Sequence, residues 1–129
     1  MNVAKIMKAG SLAVTKTGSP LYTAPEVWES EHYGEKCDIW SLGVLVYEMC
    51  CLKVPFEADS IDEMIKKVKY QKSKSLPTVY SFGLDDLVKK MLEANPEKRL
   101  SAEEVYKIAS ERMRLETEGQ SESIVESMM

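Results

Sequence analysis

The sequence predicts an all-α fold, and three observations carry this prediction. Apolar residues recur at helical spacing in several stretches, and no stretch shows the sustained apolar–polar alternation of a strand. Two of these stretches follow a serine with a glutamate three positions later, which is the capping-box pattern of a helix start. Residues 37–52 are apolar on nearly every helical face, which predicts a central helix buried in the core.

The N-terminal part, residues 1–23, shows no sustained period and is rich in glycine, serine and threonine. This composition predicts an extended, irregular arm. Pro25 then opens a short helix that we expect to reach about Ser30, with Glu26 near the positive end of its dipole. Gly34 separates this short helix from the central one.

Three further helices are expected after the central helix, which ends before Pro55. Ser60 and Glu63 form the capping box of the first, and a loop over 70–82 follows it. The second runs from Leu84 to about Ala94, where an Asn-Pro pair stops it. Ser101 and Glu104 cap the third, which we expect to end near Leu115 in a frayed or disordered polar tail. This gives a domain over 1–110 and a helix end with its tail over 111–129.

Composition indicates a single globular domain of 129 residues with 44% hydrophobic and 29% charged residues. The net charge of -4 does not favour nucleic acid or an anionic membrane as a partner. Cys37, Cys50 and Cys51 show no metal-binding spacing, so we expect buried free thiols in a reducing compartment. No apolar segment at the N-terminus resembles a signal peptide, and no apolar run is long enough to span a bilayer.

Four motifs follow one another along residues 1–110: Ser19-Pro20-x-Tyr22-x-Ala24-Pro25-Glu26, Asp38-Ile39-Trp40-Ser41-Leu42-Gly43, Pro55-Phe56 and Asn95-Pro96-x-x-Arg99. Their order and spacing resemble the C-terminal lobe of a eukaryotic serine/threonine protein kinase, from the activation segment onward. Within that family, the segment around Pro55-Phe56-Glu57-Ala58 and the region 81–92 are most similar to the NIMA-related (NEK) kinases. The resemblance implies an irregular activation-segment arm followed by about five helices around a buried central helix.

The catalytic elements of a kinase do not occur in these residues. Phosphoryl transfer needs a Gly-rich loop, a strand lysine, an H-R-D catalytic loop and a D-F-G aspartate. None of these is in the sequence, although residues 1–6 resemble the segment directly after a D-F-G motif. We therefore expect no catalytic, cofactor-binding or metal-binding residue in this chain. A partial gene model, a pseudogene and a true fragment are each compatible with the sequence.

The resemblance assigns structural roles to Glu26, Arg99, Asp38 and Trp40. It implies that Glu26 pairs with Arg99 and closes the activation segment onto the last helices, the alternative being two surface charges. It also implies that Asp38 accepts backbone N–H groups of the catalytic loop, which is not in this sequence; helix capping is the alternative.

The resemblance also implies a substrate-binding region. Ser19 corresponds to the hydroxyl that contacts the catalytic aspartate and positions the substrate hydroxyl, which indicates a serine/threonine kinase. Pro20 and Thr23 would line the pocket for the substrate residue after the phosphoacceptor. Without the family context, Ser19-Pro20 is simply typical of a turn.

The resemblance further implies that Thr15 corresponds to the usual position of the activating phosphothreonine, with Thr17 and Ser11 as alternatives. An exposed, unmodified threonine is the competing interpretation, because the arginine that would bind the phosphate is not in this sequence. The lysines between residues 66 and 74 indicate either a docking patch for acidic peptide or a solvated helix face. His32 has no companion ligand and is expected at the surface.

Three functions stay open at this point. The first is part of a serine/threonine kinase, inactive alone, whose full-length parent would use ATP and Mg²⁺. The second is a catalytically dead module that binds a peptide or partner, and the third is a helical assembly element through residues 101–115. We expect protein or peptide partners, no nucleic acid, no membrane, and self-association through exposed apolar surface. The resemblance implies an intracellular location, in the cytoplasm or with the cytoskeleton.

Overall fold

The computed structural model describes residues 20–29 and 33–128. A 3-10 turn over Pro20–Tyr22 is followed by five α-helices, and no residue in these two ranges lies in a strand. The predicted all-α class is therefore confirmed. The helices are α1 (Pro25–Glu29), α2 (Lys36–Cys51), α3 (Ile61–Tyr70), α4 (Phe82–Met91) and α5 (Ala102–Met128).

Helix α2 is the centre of the fold. One of its faces packs against α4 and the 3-10 turn. Its buried residues are Ile39, Trp40, Gly43, Val44 and Tyr47. The sequence predicted burial on nearly every face, but Leu42, Leu45 and Met49 are 42%, 46% and 66% exposed. The difference arises because the described chain supplies packing partners for only one side of this helix.

The core extends from α2 to α1, α3 and α4 and to the loops between these helices. Its members are all buried apolar side chains, and they include Ala24, Val27, Trp40, Val44, Tyr47, Phe56, Met64, Val68, Leu76, Val88 and Leu92. The ring of Trp40 stacks on the ring of Phe56 with 6.1 Å between their centroids and 14° between their planes. Phe56 is therefore fixed to the central helix although it lies in a loop.

Gly43 allows α2 and α4 to approach closely. A Cβ atom at this position would lie 2.9 Å from the Cβ of Met91 and 3.1 Å from a methyl carbon of Leu92. The first distance is shorter than real carbon contacts allow, and a Cβ cannot move away by changing rotamer. The absence of a side chain therefore sets the spacing between the two helices.

Gly43→Ala should lower the free energy of unfolding by about 1–3 kcal/mol because the methyl group overpacks the contact with α4. This loss should exceed the gain in helix propensity of about 1 kcal/mol that alanine brings. Urea denaturation of the whole chain measures it. Gly119→Ala is the matched control, since Gly119 also lies in a helix but has no atom within 4 Å of its added Cβ. We expect that variant to be more stable than the parent; a Gly43→Ala protein equally stabilised would contradict the packing argument.

Serine side chains cap three of the helices. The Oγ atoms of Ser60 and Ser101 accept hydrogen bonds from the backbone N–H groups of Glu63 and Glu104, at 3.1 Å and 3.2 Å. The capping box at Ser101 is reciprocal, because the Ser101 N–H also donates to the Glu104 carboxylate at 3.0 Å. At the other box the Glu63 carboxylate accepts instead from the N–H of Asp59, at 3.2 Å.

The bounds of two helices differ from the prediction. Helix α4 begins at Phe82 and not at Leu84, because Ser81 caps it by accepting from the Leu84 N–H at 3.1 Å. Helix α5 continues to Met128 and does not end near Leu115. Ion pairs one turn apart support the extension: Arg112 contacts Glu116 at 3.1 Å, and Arg114 contacts Glu118 at 2.7 Å.

Asp85 joins α4 to the preceding loop. Its carboxylate accepts from the N–H of Leu76 at 2.8 Å and lies 3.0 Å from the ammonium group of Lys89. Chiefly the backbone hydrogen bond, and then Lys89, hold the pKa of Asp85 below its ordinary value of 3.8. The carboxylate thus stabilises the fold in its charged form.

Stability should therefore depend on pH through Asp85. Because the pKa of Asp85 is lower in the folded state, the contribution is complete above the ordinary pKa of the unfolded chain and is lost as pH falls through the folded value. We expect the melting temperature of the parent to exceed that of Asp85→Asn at pH 6, and the gap to shrink below pH 4. Asp86→Asn, which removes an exposed partner of Lys90, is the control. A gap that stays constant down to pH 2 would contradict this account.

Candidate functional site

A buried ion pair connects α1 to the segment between α4 and α5. The guanidinium group of Arg99 meets the carboxylate of Glu26 with two parallel hydrogen bonds, Nη1 to Oε2 at 2.6 Å and Nη2 to Oε1 at 2.9 Å. The Arg99 side chain is 0% exposed and that of Glu26 is 11% exposed. The structure thus brings together two residues that lie 73 positions apart.

Arg99 uses its remaining donors on backbone carbonyls. Its Nε donates to the carbonyl oxygen of Glu93 at 2.8 Å. Nη1 also donates to the carbonyl oxygen of Lys36 at 2.8 Å, and Nη2 donates to that of Ala94 at 3.4 Å. A guanidinium group has five N–H donors, and Arg99 makes five hydrogen bonds to Glu26 and these carbonyls. Every donor therefore has a partner although the side chain is completely buried. Arg99 therefore joins three parts of the fold: α1, the first residue of α2 and the segment directly after α4.

The Asn95-Pro96 sequence forms the turn that places Arg99. The side-chain oxygen of Asn95 accepts from the N–H of Glu97 at 3.0 Å. Its carbonyl accepts from the N–H groups of Lys98 and Arg99, both at 3.0 Å. Asparagine favours this local bonding. The motif thus determines the direction in which the Arg99 side chain leaves the backbone.

Trp40 packs against the same arginine. The Cζ atom of Arg99 lies 5.2 Å from the centroid of the Trp40 ring, within cation–π distance. Trp40 is 2% exposed and also stacks on Phe56. The ion pair, the central helix and the loop after it consequently form one connected unit.

A second set of contacts fixes the 3-10 turn to α2. The Tyr22 hydroxyl donates to a carboxylate oxygen of Glu48 at 2.5 Å. The Ser41 hydroxyl is 2.6 Å from the carbonyl oxygen of Tyr22 and 3.2 Å from that of Cys37. The sequence interpretation assigned no role to Tyr22, Ser41 or Glu48. A signal was present, because Ser41 and Glu48 are polar residues seven positions apart, on one face of an otherwise apolar helix.

The Tyr22–Glu48 contact affects the titration of the phenol. The hydrogen bond to the Glu48 carboxylate, followed by burial and by the negative charge of Glu48, raises the pKa of Tyr22 above 10.0. Deprotonation would remove the donor and place two negative charges side by side. Tyr22 therefore stays a hydrogen-bond donor at physiological pH.

The other predicted residues of this region differ in burial and in their partners. Pro20 is buried, and Thr23 is half-buried with its N–H donating to the Pro20 carbonyl at 3.2 Å. Asp38 is exposed in the first turn of α2, where its Oδ1 lies 3.9 Å from the Sγ of Cys37. Ser19, Thr15 and Thr17 lie outside the described residues, as do Ser11 and His32, so their predicted roles remain predictions.

The three cysteines are free thiols and are half-buried rather than fully buried. Burial, with added effects of the Asp38 and Glu26 carboxylates, raises the pKa of Cys37 above 9.0. The thiol therefore stays protonated and weakly nucleophilic. Its position beside Arg99 does not make it a reactive group.

The lysines between 66 and 74 do not form one uniform patch. Lys69 makes an ion pair with Glu29 of α1 at 2.7 Å, and Lys67 donates to the carbonyl of Glu57 at 2.5 Å. Lys72 and Lys74 line a cavity near the end of α2. Lys67 also lines that cavity, so the patch that the sequence suggested is divided between fold-stabilising contacts and a cavity that shares one of the engaged lysines.

The described ranges contain neither a metal cluster nor a membrane-spanning helix. No group of three or more His, Cys, Asp or Glu side chains there is arranged to hold a metal ion. Among the described helices, none combines the length and hydrophobicity that a bilayer crossing requires.

Comparison with known proteins relates this arrangement to one family. The model of the protein kinase domain matches residues 2–109. The chain is 47% identical over 92 residues to serine/threonine-protein kinase Nek3 of Mus musculus, covering 71% of this chain and 18% of that protein. It is 42% identical over 95 residues to serine/threonine-protein kinase Nek2 of the same species, and the match covers 74% of this chain and 21% of that protein. It is also 39% identical over 97 residues to the G2-specific protein kinase nim-1 of Neurospora crassa, and the match covers 75% of this chain and 11% of that protein.

The chain therefore spans about a fifth or less of the length of these curated relatives. The matched range contains both partners of the buried ion pair, the central helix and the Asn-Pro turn. The fold, the connected contacts around Arg99 and the family match agree with one another. The chain therefore belongs to the protein kinase family, where it is similar to the Nek serine/threonine kinases.

Proposed function

We propose that this chain forms the part of a serine/threonine kinase C-lobe that holds and orients the substrate-binding segment. A full-length parent would transfer the γ-phosphoryl group of ATP to serine or threonine in proteins. The observation that carries the proposal is the fully satisfied, bidentate Glu26–Arg99 pair. This pair fixes the helix directly after the proposed substrate-binding residues to the helical core.

The proposed contribution of these residues is positioning. Pro20 and Thr23 would contact the substrate residue after the phosphoacceptor, and Ser19 would orient the accepting hydroxyl. The 3-10 turn that carries Pro20 is tied to α2 through Tyr22 and Ser41. Orientation of reacting groups contributes strongly to phosphoryl transfer, since small misplacements can cost about 100-fold in rate.

The sequence contains none of the Gly-rich loop, strand lysine, H-R-D or D-F-G elements that hold nucleotide and magnesium in a kinase. We propose that this chain alone neither binds ATP nor transfers phosphate. Calorimetric titration of the purified chain with ATP and Mg²⁺ should show no binding heat, and saturable magnesium-dependent binding would refute this part.

A chimera tests the positioning role. Residues 20–100 of this chain would replace the aligned segment of the mouse Nek3 kinase, and phosphate transfer to a protein substrate would be measured. We expect an active chimera that loses about 100-fold in rate on Arg99→Ala. Lys98→Ala, an exposed neighbour, is the control and should leave the rate unchanged. A well-folded but inactive chimera would contradict the proposal.

A second candidate function is a partner-binding or scaffold module without catalysis. It is favoured by the exposed apolar stripe on α2, which consists of Leu42, Leu45 and Met49. An unpartnered apolar stripe on a central helix promotes association. We expect concentration-dependent self-association of the isolated chain in sedimentation velocity, reduced by the double change Leu45→Lys and Met49→Lys. A monodisperse monomer at high concentration would contradict it.

A further inference from the structure

A small, positively charged cavity lies where the end of α2, the loop after it and the chain after α3 meet. Its volume is about 250 Å³. Four lysines line it, Lys53, Lys67, Lys72 and Lys74, against one acidic residue, Glu57. This excess of positive charge is local, since the whole chain carries a net charge of -4.

Three of the four lysines are available to a ligand. Lys67 is engaged, because it donates to the carbonyl of Glu57 at 2.5 Å and lies 3.8 Å from the carboxylate of Glu63. Lys53, Lys72 and Lys74 are exposed, and none of them forms an ion pair with a residue of the described ranges. Several lysines around one cavity that holds a single carboxylate, that of Glu57, raise the local potential and attract anions.

The apolar part of the cavity is rigid. Tyr47 and Phe56 line it and are only 3% and 7% exposed, so most of each ring is fixed in the core. Phe56 is further held by its stack on Trp40. A preformed apolar wall binds a side chain without the cost of ordering the site first.

We propose that this cavity docks an acidic segment of a partner polypeptide. The volume is below the range of about 300–1,000 Å³ that is usual for small-molecule sites, so it fits one side chain. An apolar side chain would contact Tyr47 and Phe56, while flanking carboxylates would contact Lys53, Lys72 and Lys74. The proposal concerns binding alone and does not depend on the proposed role in phosphoryl transfer.

The observations favour an acidic polypeptide over nucleic acid. A nucleic acid carries a long line of phosphates and needs an extended basic surface. Here the basic residues surround one small cavity, and the chain as a whole is acidic with a pI of about 5.1. A short acidic segment with an apolar centre matches both the charge and the size.

The test is fluorescence anisotropy of the full chain with a labelled peptide of ten Asp and Glu residues around one central Leu. We expect saturable binding that weakens as salt is added. Lys72→Glu with Lys74→Glu should weaken it by about tenfold or more. The matched control is Lys66→Glu with Lys98→Glu, two exposed lysines outside the cavity, which changes the net charge by the same amount. It should bind like the parent.

A charge-neutral double variant and additional ligands complete the test. Lys72→Met with Lys74→Met removes the charge without reversing it and should also weaken binding, and thermal melting verifies that each variant is folded. Replacing the central Leu by Gly should reduce affinity if the apolar wall contributes. The proposal is wrong if the acidic peptide does not bind, if both double variants weaken binding equally, or if a lysine-rich peptide or a single-stranded RNA of equal length binds as well.

Discussion

Replacing Arg99 by alanine should lower the free energy of unfolding by about 3–5 kcal/mol, the largest loss expected for any charged residue of the described ranges. The side chain is fully buried, and its removal leaves the Glu26 carboxylate without its bidentate partner. Three backbone carbonyls lose a donor as well. The measurement is urea denaturation of the whole chain, followed by circular dichroism.

Two controls separate this effect from the loss of an ordinary arginine. Arg112→Ala removes an exposed guanidinium group that forms an ion pair with Glu116, one turn away, and should cost about 0.5 kcal/mol or less. Arg99→Lys keeps the charge but not the planar fork, so it should restore little of the stability. Equal melting temperatures for Arg99→Ala and Arg112→Ala would refute the structural role of the pair.

Trp40→Ala should cost about 3–5 kcal/mol, as expected for removal of a large buried aromatic side chain. The ring is 2% exposed, and the substitution removes both its stack on Phe56 and its contact with the Arg99 guanidinium group. The cavity left behind would lie between the central helix and the loop that carries Phe56. The same denaturation measurement applies.

A graded series tests whether the aromatic face matters. Trp40→Phe keeps a ring that can stack on Phe56 and face Arg99, so its loss of stability should be much smaller than that of Trp40→Ala. Tyr106→Ala removes an aromatic side chain that is 72% exposed on α5 and should change stability by less than about 0.5 kcal/mol. The packing account fails if Trp40→Ala and Tyr106→Ala unfold at the same urea concentration.

Local patterns in the sequence predicted most of the helical framework. Capping serines, proline positions and apolar periodicity are short-range signals, and they indicated the starts of α3 and α5 through Ser60 and Ser101. The predicted start of α4 was wrong because Gly83 suggests a boundary, whereas the Ser81 hydroxyl caps the helix. The predicted extent of α5 was too short because a polar composition suggests disorder, while ion pairs such as Arg112–Glu116 support the helix.

The site itself was predicted only in part. Family motifs suggested that Glu26 and Arg99 meet, but the spacing of the two residues alone left two surface charges as an alternative. The contacts of Tyr22 with Glu48 and Ser41 were not predicted, because they depend on how the 3-10 turn lies across α2. The spacing of Ser41 and Glu48 indicates a polar face on α2, but which segment meets that face depends on long-range packing that the sequence pattern does not report.

The same limit applies to the faces of α2. Its continuous apolar sequence predicted burial all round, yet Leu42, Leu45 and Met49 are exposed in the structure. Sequence periodicity reports that a face can be buried, but not which partner covers it. The lysines between 66 and 74 show the same effect, since neighbours in the sequence have different partners in the fold.

A double-mutant cycle between Glu26 and Arg99 tests the central claim most directly. The free energies of unfolding of the parent, Glu26→Gln, Arg99→Gln and the double variant would be measured by urea denaturation. We predict a coupling of about 2–3 kcal/mol. The double variant should lose that much less stability than the sum of the two single losses, because the second change no longer strands a buried charge. Single losses that add to within about 0.5 kcal/mol would show that the two residues act independently, which would contradict the claim that their pairing holds the proposed substrate-binding segment on the core.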